Sequence, residues 1–310
     1  MKRIFLDTDM LTDCDDAAAM SMLHALCDRG EAELLACAVS SRHPMSAVVV
    51  DAVNHYHGRP ELAVGAPKNG RGAYRPDSCF LDKVAAEFPH RLQSNDEAPD
   101  AVRVYRDVLA LSPDASVTLV TIGYMTNVAD LLRSKADDLS PLDGRTLVEK
   151  KVAEWVCMGG NFPVDVGKDN VNFSRDGESA VYALRNWPGL ITFAGREIGH
   201  NIFVGDRLKE TPPENPARRA YQLHRERFGE HWNHHTADPC AVLYAVRGTA
   251  DYFDLQEGTL DLRDDCSFTF TPCQGSDRQI LVQKMDRTAM GEEMEALMIA
   301  PPSRKEGTTA

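Results

Sequence analysis

Between Phe5 and Ala17 the chain reads Phe5-Leu6-Asp7-Thr8-Asp9-Met10-Leu11-Thr12-Asp13-Cys14-Asp15-Asp16-Ala17, with five aspartates inside ten residues. An apolar run precedes the cluster and an Ala/Met/Leu-rich stretch of helical periodicity follows it. The carboxylates therefore fall where a strand ends and a helix begins. A helix cap accounts for one of them, Asp15 or Asp16, but not for five. Confining so many like charges is costly unless a cation neutralises them or some stay protonated. All the offered ligands are hard oxygens, which points to Mg²⁺ or Ca²⁺ rather than zinc. An EF-hand loop is excluded: counted from Asp7, its fifth, sixth and twelfth positions hold Leu11, Thr12 and Ala18, none of which serves that loop.

The elements that must position this cluster alternate. Strands are predicted over Arg3–Leu6, Glu33–Val39, Leu62–Gly65, Val117–Thr121, Val152–Met158 and Leu190–Phe193. Helices are predicted over Asp16–Asp28, Ser46–His57, Asp100–Leu111, Thr126–Ser134 and Gly177–Arg185, with Thr126-Asn127 reading as a cap. Such alternation implies an α/β fold: a mostly parallel central sheet with helices on both faces and ligands at the carboxyl ends of the strands. Two further helices, Pro216–Phe228 and Pro239–Arg247, follow before the alternation fails. Thr-Phe-Thr-Phe and Ile-Leu-Val runs within 251–284 suit a small antiparallel extension, placed at about 251–300. No repeat or Gly/Ser linker interrupts the chain, so a single domain over 1–300 is expected, with a disordered tail at 301–310.

Composition narrows the partners. With 34 basic against 47 acidic residues the net charge is −13, which repels polyphosphate backbones and anionic lipid and argues against nucleic-acid or membrane binding. A mean hydropathy of −0.35 and the lack of a long apolar run argue against a transmembrane span. The apolar stretch after Met1 reaches Asp7 too soon for a signal peptide. Eight cysteines form no C-x-x-C pair and no zinc spacing, so they read as reduced thiols and the expected location is cytoplasmic.

Two resemblances bear on the acidic segment. Asp7-Thr8-Asp9-Met10-Leu11 nearly fits the D-x-D-x-[TV] opening of haloacid-dehalogenase-type phosphatases. That likeness implies an Asp7 nucleophile, Asp9 as acid/base, Mg²⁺, a hydroxyl at Thr121 and a phosphate-binding lysine. It also implies a late acidic pair, which Gly205-Asp206 matches poorly. The second resemblance extends over about residues 3–250. Asp7-Thr8-Asp9 with Asp13-Cys14-Asp15-Asp16-Ala17 resembles the D-x-D-P-G-x-D-D-A signature of the inosine–uridine preferring nucleoside hydrolases. Val117–Asn127 is similar to that family's L-V-P-T-G-P-L-T-N segment. Met158-Gly159-Gly160-Asn161 and Asn170-Val171-Asn172-Phe173-Ser174-Arg175-Asp176 resemble its M-G-G and E-F-N-x-x-x-D segments. His235-Thr236-Ala237-Asp238-Pro239-Cys240-Ala241-Val242 resembles its H-D-P-x-A-V.

The resemblance implies a calcium-dependent N-ribohydrolase that takes a small ribosyl substrate, of the kind used in purine and pyrimidine salvage, in a family whose members are usually homo-oligomers. By motif position, Asp9, Asp16, Asp238 and the Ile122 carbonyl would hold Ca²⁺. Asp15 would be the general base toward the attacking water, and Asn161 and Asn172 would hold ribose hydroxyls. Taken alone, Asp238 before Pro239 also reads as a helix cap, and Asn161 after Gly-Gly as a turn residue.

Several positions depart from the pattern. The acidic loop is two residues longer than the motif and lacks its Pro-Gly, which leaves open a ligand or base role for Asp13. Ser40-Ser41-Arg42 replaces a Gly-Asn, so Ser41 or Arg42 is expected to face the ligand, and Arg42 suits an anionic substituent. Asn170 replaces a Glu, which removes one acceptor for a sugar hydroxyl. Ala237 stands where many members carry the His that protonates the leaving base. His235, or its neighbour His234, is expected to take over as the acid, or Trp232 or Tyr74 to stack on the base. Alternatively the substrate has a better leaving group and needs no acid; failing all of these, the chain would bind a ribosyl ligand with little turnover.

Overall fold

A computed structural model describes residues 1–68, 70–162, 167–168, 171–229 and 231–303. Asn170 and residues 304–310 of the expected tail lie outside the described residues. The strands are β1 (Lys2–Thr8), β2 (Ala32–Val39), β3 (Val64–Gly65), β4 (Val117–Thr121), β5 (Val152–Met158) and β6 (Gly167–Lys168). Then come β7 (Ile191–Ala194), β8 (Phe203–Val204), β9 (His234–His235), β10 (Phe253–Leu262), β11 (Ser267–Pro272) and β12 (Arg278–Gln283). Ten of them form one sheet in the order β3-β2-β1-β4-β5-β7-β12-β10-β11-β6, and β8 pairs with β9 separately.

The central strands are parallel. β1 is buried from Ile4 onward, which is why it reads as an unbroken Ile-Phe-Leu run: helices cover both of its faces. One apolar cluster holds Ile4, Leu6 and the helix Asp15–Asp28, the other Phe5, Leu119 and Trp155 on the opposite face. From β1 the chain winds to β2 and β3, then crosses back to place β4 on the other side of β1. This reversal opens a crevice at the carboxyl ends of β1 and β4, where loops leave in opposite directions. The aspartate cluster sits at that crevice.

The extension differs from the expectation in two ways. β10 is antiparallel to β11 and β12, but β12 is also parallel to β7, so the extension continues the main sheet. Strand order is a long-range property that local apolar runs do not carry. Within the expected antiparallel stretch, Arg287–Met298 is instead a helix, capped by the Asp286 carboxylate on Thr288 N and Ala289 N. It buries Met290, Met294, Leu297 and Met298 at helical spacing. The short helices Leu81–Glu87, Gly144–Lys151 and Arg196–Gly199 also went without a sequence signal. Among the described residues no helix is long and apolar enough to cross a membrane.

The turn after β4 passes close to the one after β1. A Cβ on Gly123 would stand 2.3 Å from Asp9 N and 2.7 Å from Ser40 Oγ, so this approach requires glycine. Gly123→Ala is expected to destabilise the protein by about 1–3 kcal/mol, the usual cost of overpacking, read as a lower urea midpoint. An unchanged midpoint would mean that the two turns are not in register as described.

Candidate active site

Two helix N-termini and three strand ends build the floor of the crevice. The helix Asp15–Asp28 starts at Cys14, whose side chain makes no cap bond. Asp15 and Asp16 thus lie inside the first turn and are not spent as caps. Likewise Thr236 holds the cap position of the helix Ala237–Arg247, and Asp238 lies within it, its N–H 3.3 Å from Asp15 Oδ2. Residues far apart in sequence therefore meet: carboxylate oxygens of Asp15, Asp16 and Asp238 lie within 4.8 Å of one another. Both helix dipoles aim their positive ends at this group.

A cavity of about 430 Å³ opens above these carboxylates. Asp9, Asp15, Asp16, Asp238, Ile122, Asn161, Asn172 and His235 all line it. Ala237 is on its wall too. Asn172 is buried and donates to the Met158 carbonyl at 3.1 Å, whereas Asn161 is exposed at the mouth. Ser41 and Arg42 are not brought to the cavity. Ser41 is fully buried, with its Oγ taking the His43 N–H at 3.0 Å. Arg42 donates from Nε to Gly72 O at 2.9 Å, folded against the adjoining loop. Of the two aromatic residues considered for stacking, Trp232 packs on the core and Tyr74 stacks on His43.

The wall also contains residues without a signal in the sequence: Arg175, Arg196, Glu197, His200 and Asn201. Arg175 donates to Tyr124 OH at 3.1 Å, and Tyr124 in turn bonds Asp9. Burial pushes the Glu197 carboxyl up to about 7 against the bonds it takes from backbone N–H groups, Phe162 N among them.

Charge is distributed unevenly across the site. Burial, with Asp9 and Asp15 as like-charged neighbours, holds Asp16 well above the carboxylate range, and the same forces act on Asp238. Burial pushes Asp9 up to about 6, opposed by Tyr124 and Arg175. Asp16 Oδ1 accepts from Thr8 Oγ1 and from Met10 N, while Asp16 Oδ2 is buried without a hydrogen-bond partner. Met10 has φ +33°, held there by its N–H on Thr8 Oγ1 and by Ser46 donating to its carbonyl. These bonds do the work that a glycine would do unaided.

At the opposite wall, burial disfavours charge on both Asp13 and His235, yet their mutual attraction wins. Asp13 is held well below the usual range by His234 and His235. His235 is pushed up to about 10 by Asp13 and Asp15. Asp13 Oδ1 touches His234 Nε2, and Asp13 Oδ2 stands 3.3 Å from His235 Nε2.

This arrangement can hold a cation. Two oxygens each about 2.5 Å from one ion stand no more than about 5 Å apart, which the three carboxylates meet. The unpartnered Asp16 Oδ2 supplies a free lone pair, and the donors are all oxygen. Phosphatase chemistry does not fit. Asp7 is fully buried, off the cavity wall, and locked by Tyr105 OH at 2.7 Å and Asn127 Nδ2 at 2.9 Å. Asn127 thus supports Asp7 and is no cap; Met125 holds that helix position. Thr121 Oγ1 accepts from Trp155 Nε1, and no lysine is among the described wall residues.

Comparison with known proteins agrees with this geometry. The fold and site define a nucleoside hydrolase-like α/β protein. The family model of the inosine-uridine preferring nucleoside hydrolases matches residues 4–293, and the chain belongs to that family, a hydrolase acting on N-glycosyl bonds. A plant nucleoside hydrolase, PpNRh1, superposes with a TM-score of 0.71 at 18% identity, covering 97% of this chain and 99% of its own. The purine-preferring ribonucleoside hydrolase from Gardnerella vaginalis gives 0.72 at 16% identity, covering 98% and 99%. The type III effector XopQ, solved with adenosine diphosphate ribose, gives 0.68 at 18% identity, covering 97% and 93%. No curated protein matches by direct sequence comparison.

The raised carboxyls fix a pH dependence. A carboxyl whose folded pKa exceeds its unfolded value supports the fold below the unfolded value and loses that support as pH rises through the folded one. Metal-free protein should therefore melt at lower temperature at pH 8 than at pH 5, since Asp9 and Asp7 titrate at about 6 and about 7. Added Ca²⁺ should raise the Tm more at pH 8 than at pH 5. Equal shifts at both pH values would contradict a cation held by these carboxylates.

Proposed function

We propose that this chain is a calcium-dependent N-ribohydrolase that cleaves the bond between a ribosyl group and its base. The observation that carries the reading is the meeting of Asp15, Asp16 and Asp238 on the floor of a cavity also lined by Asp9 and Ile122. Asp9, Asp16, Asp238 and the Ile122 carbonyl are the residues that would hold Ca²⁺. When bound, Ca²⁺ would supply Lewis acidity that makes water a readier nucleophile and a preference for oxygen ligands.

The chain's own groups divide the remaining work. Asn161 and Asn172 receive sugar hydroxyls, which fixes the anomeric carbon before attack and lowers the entropic part of the barrier. Asp15 accepts the proton of the attacking water. The C–N bond loosens first, leaving positive charge on the sugar, and a floor rich in carboxylates favours that charge. Water oxygen bonds to the anomeric carbon, and the departing base takes its proton from His235. That imidazole is on the cavity wall, next to the alanine at position 237. To donate, its ring exchanges a carboxylate neighbour for the base. Among the described residues the eight cysteines form no disulfide, which suits a cytoplasmic location.

A narrower reading concerns the ligand. Arg175 and Arg196 on the wall favour a ribosyl compound bearing an anionic group, and one fold relative was solved with adenosine diphosphate ribose. The guanidinium pair replaces Arg42 in that role.

Reducing-sugar release from inosine, uridine and p-nitrophenyl riboside tests the reading. Asp15→Asn should abolish release from all three. His235→Ala should lower kcat on inosine by about 10²–10⁴-fold, the usual worth of a general acid, and leave the activated riboside far less affected. Equal losses on both would remove His235 as the acid. Binding of all three without release would favour a non-turning-over receptor.

A further inference from the structure

We propose a second, zinc-type metal site behind the catalytic wall, formed by Asp13, Cys14, His224 and His234. One ligand atom from each of these four residues lies within 4.8 Å of the others. Cys14 and His224 are buried, and neither lines the cavity. The donor set is one thiolate, two imidazoles and one carboxylate. That is the soft and borderline mixture on which tetrahedral zinc is held, and it differs from the oxygen-only floor formed by Asp9, Asp16 and Asp238.

Three separate elements supply the ligands. Asp13 and Cys14 come from the acidic loop, His224 from the helix Pro216–Phe228, and His234 from β9. The helix is fixed by Asn215 at its cap and Pro216 in its first turn, and β9 is fixed by pairing with β8. The rings of His224 and His234 stand 4.6 Å apart, edge to face. An independent sign points to a ligand: His234 Nε2 touches Asp13 Oδ1, yet it is buried and makes no hydrogen bond of acceptable geometry. A nitrogen lone pair and a carboxylate oxygen turned to the same point suit a shared cation better than a shared proton. Cys14 would release its proton to solvent on binding.

The site explains the longer acidic loop. The two extra residues accompany Asp13-Cys14, and a zinc ion there pins the loop to the helix that carries His224. Asp13 Oδ1 faces the metal while Oδ2 faces His235. The ion would thus be structural and would position the catalytic wall without touching substrate.

The test is metal uptake, which needs no substrate and so stands apart from the nucleosidase reading. Chelator-treated full-length protein should take up one Zn²⁺ per chain. With Co²⁺ in its place the protein should show a thiolate-to-cobalt charge-transfer band. Cys14→Ser should abolish that band, and His224→Ala should weaken zinc binding by about a hundredfold or more, above the range for losing an outer partner of a metal ligand. Both variants should keep their calcium response, which reports that they fold; Asp238→Asn should keep the zinc. Cobalt binding without the thiolate band, undiminished zinc in a folded Cys14→Ser or His224→Ala, or zinc lost on Asp238→Asn would each overturn the site. So would wild-type protein that takes up no zinc.

Discussion

Repulsion among buried carboxylates governs this molecule. Asp15, Asp16 and Asp238 are drawn together by the starts of two long helices, and the sheet's reversal at β1 puts Asp9 on the wall of the same cavity. Each is more than nine-tenths buried. Like charges at such distances in a poorly solvated pocket cannot all remain ionised unaided, so the fold there depends on protons or on a cation. Features around the pocket answer this constraint. Tyr105 and Asn127 grip Asp7 directly beneath it. Thr8 and Met10 bond one oxygen of Asp16 and leave the other open. Gly123 admits the β4 turn against Asp9.

The opposite wall solves the same problem with an internal cation, His235. Asp13 meets His235, and their attraction overcomes the burial that opposes each charge. The site thereby divides into a floor rich in carboxylates and a wall where Asp13 meets a protonated imidazole. An N-ribosyl bond needs both: negative charge near a sugar becoming cationic, and a proton near a base becoming anionic. Ala237 and His235, two residues apart, sit on the wall of the same cavity.

Much of this was legible in the sequence because it is local. The β1 apolar run, the helix periodicities and the strand-end aspartates are encoded within a few residues each. Asp238 was legible only through its motif; its sequence neighbours, Pro239 above all, equally suit a cap, and only the fold shows Thr236 at the cap position. The Arg196–Asn201 segment was missed because nothing local distinguishes a short helix facing a cavity from one facing solvent. Arg42 was misdirected because the Gly72 carbonyl, thirty residues on, claims the guanidinium, and Ser41 because its hydroxyl is buried under the His43 N–H. The zinc-type cluster escaped for a similar reason: its ligands come from three elements and make no spacing pattern. β12's parallel pairing with β7 likewise depends on a partner more than eighty residues away.

The central claim is that the buried carboxylates share one hard cation, and calorimetric titration of Ca²⁺ into chelator-treated protein addresses it most directly. Repeating the titration in buffers of different ionisation enthalpy counts the protons released. The account predicts one calcium per chain, with protons released as the raised carboxyls ionise, more of them at pH 6 than at pH 8, and no such binding in Asp238→Asn. Binding that releases no protons at either pH, or that survives loss of the Asp238 carboxylate, would contradict it.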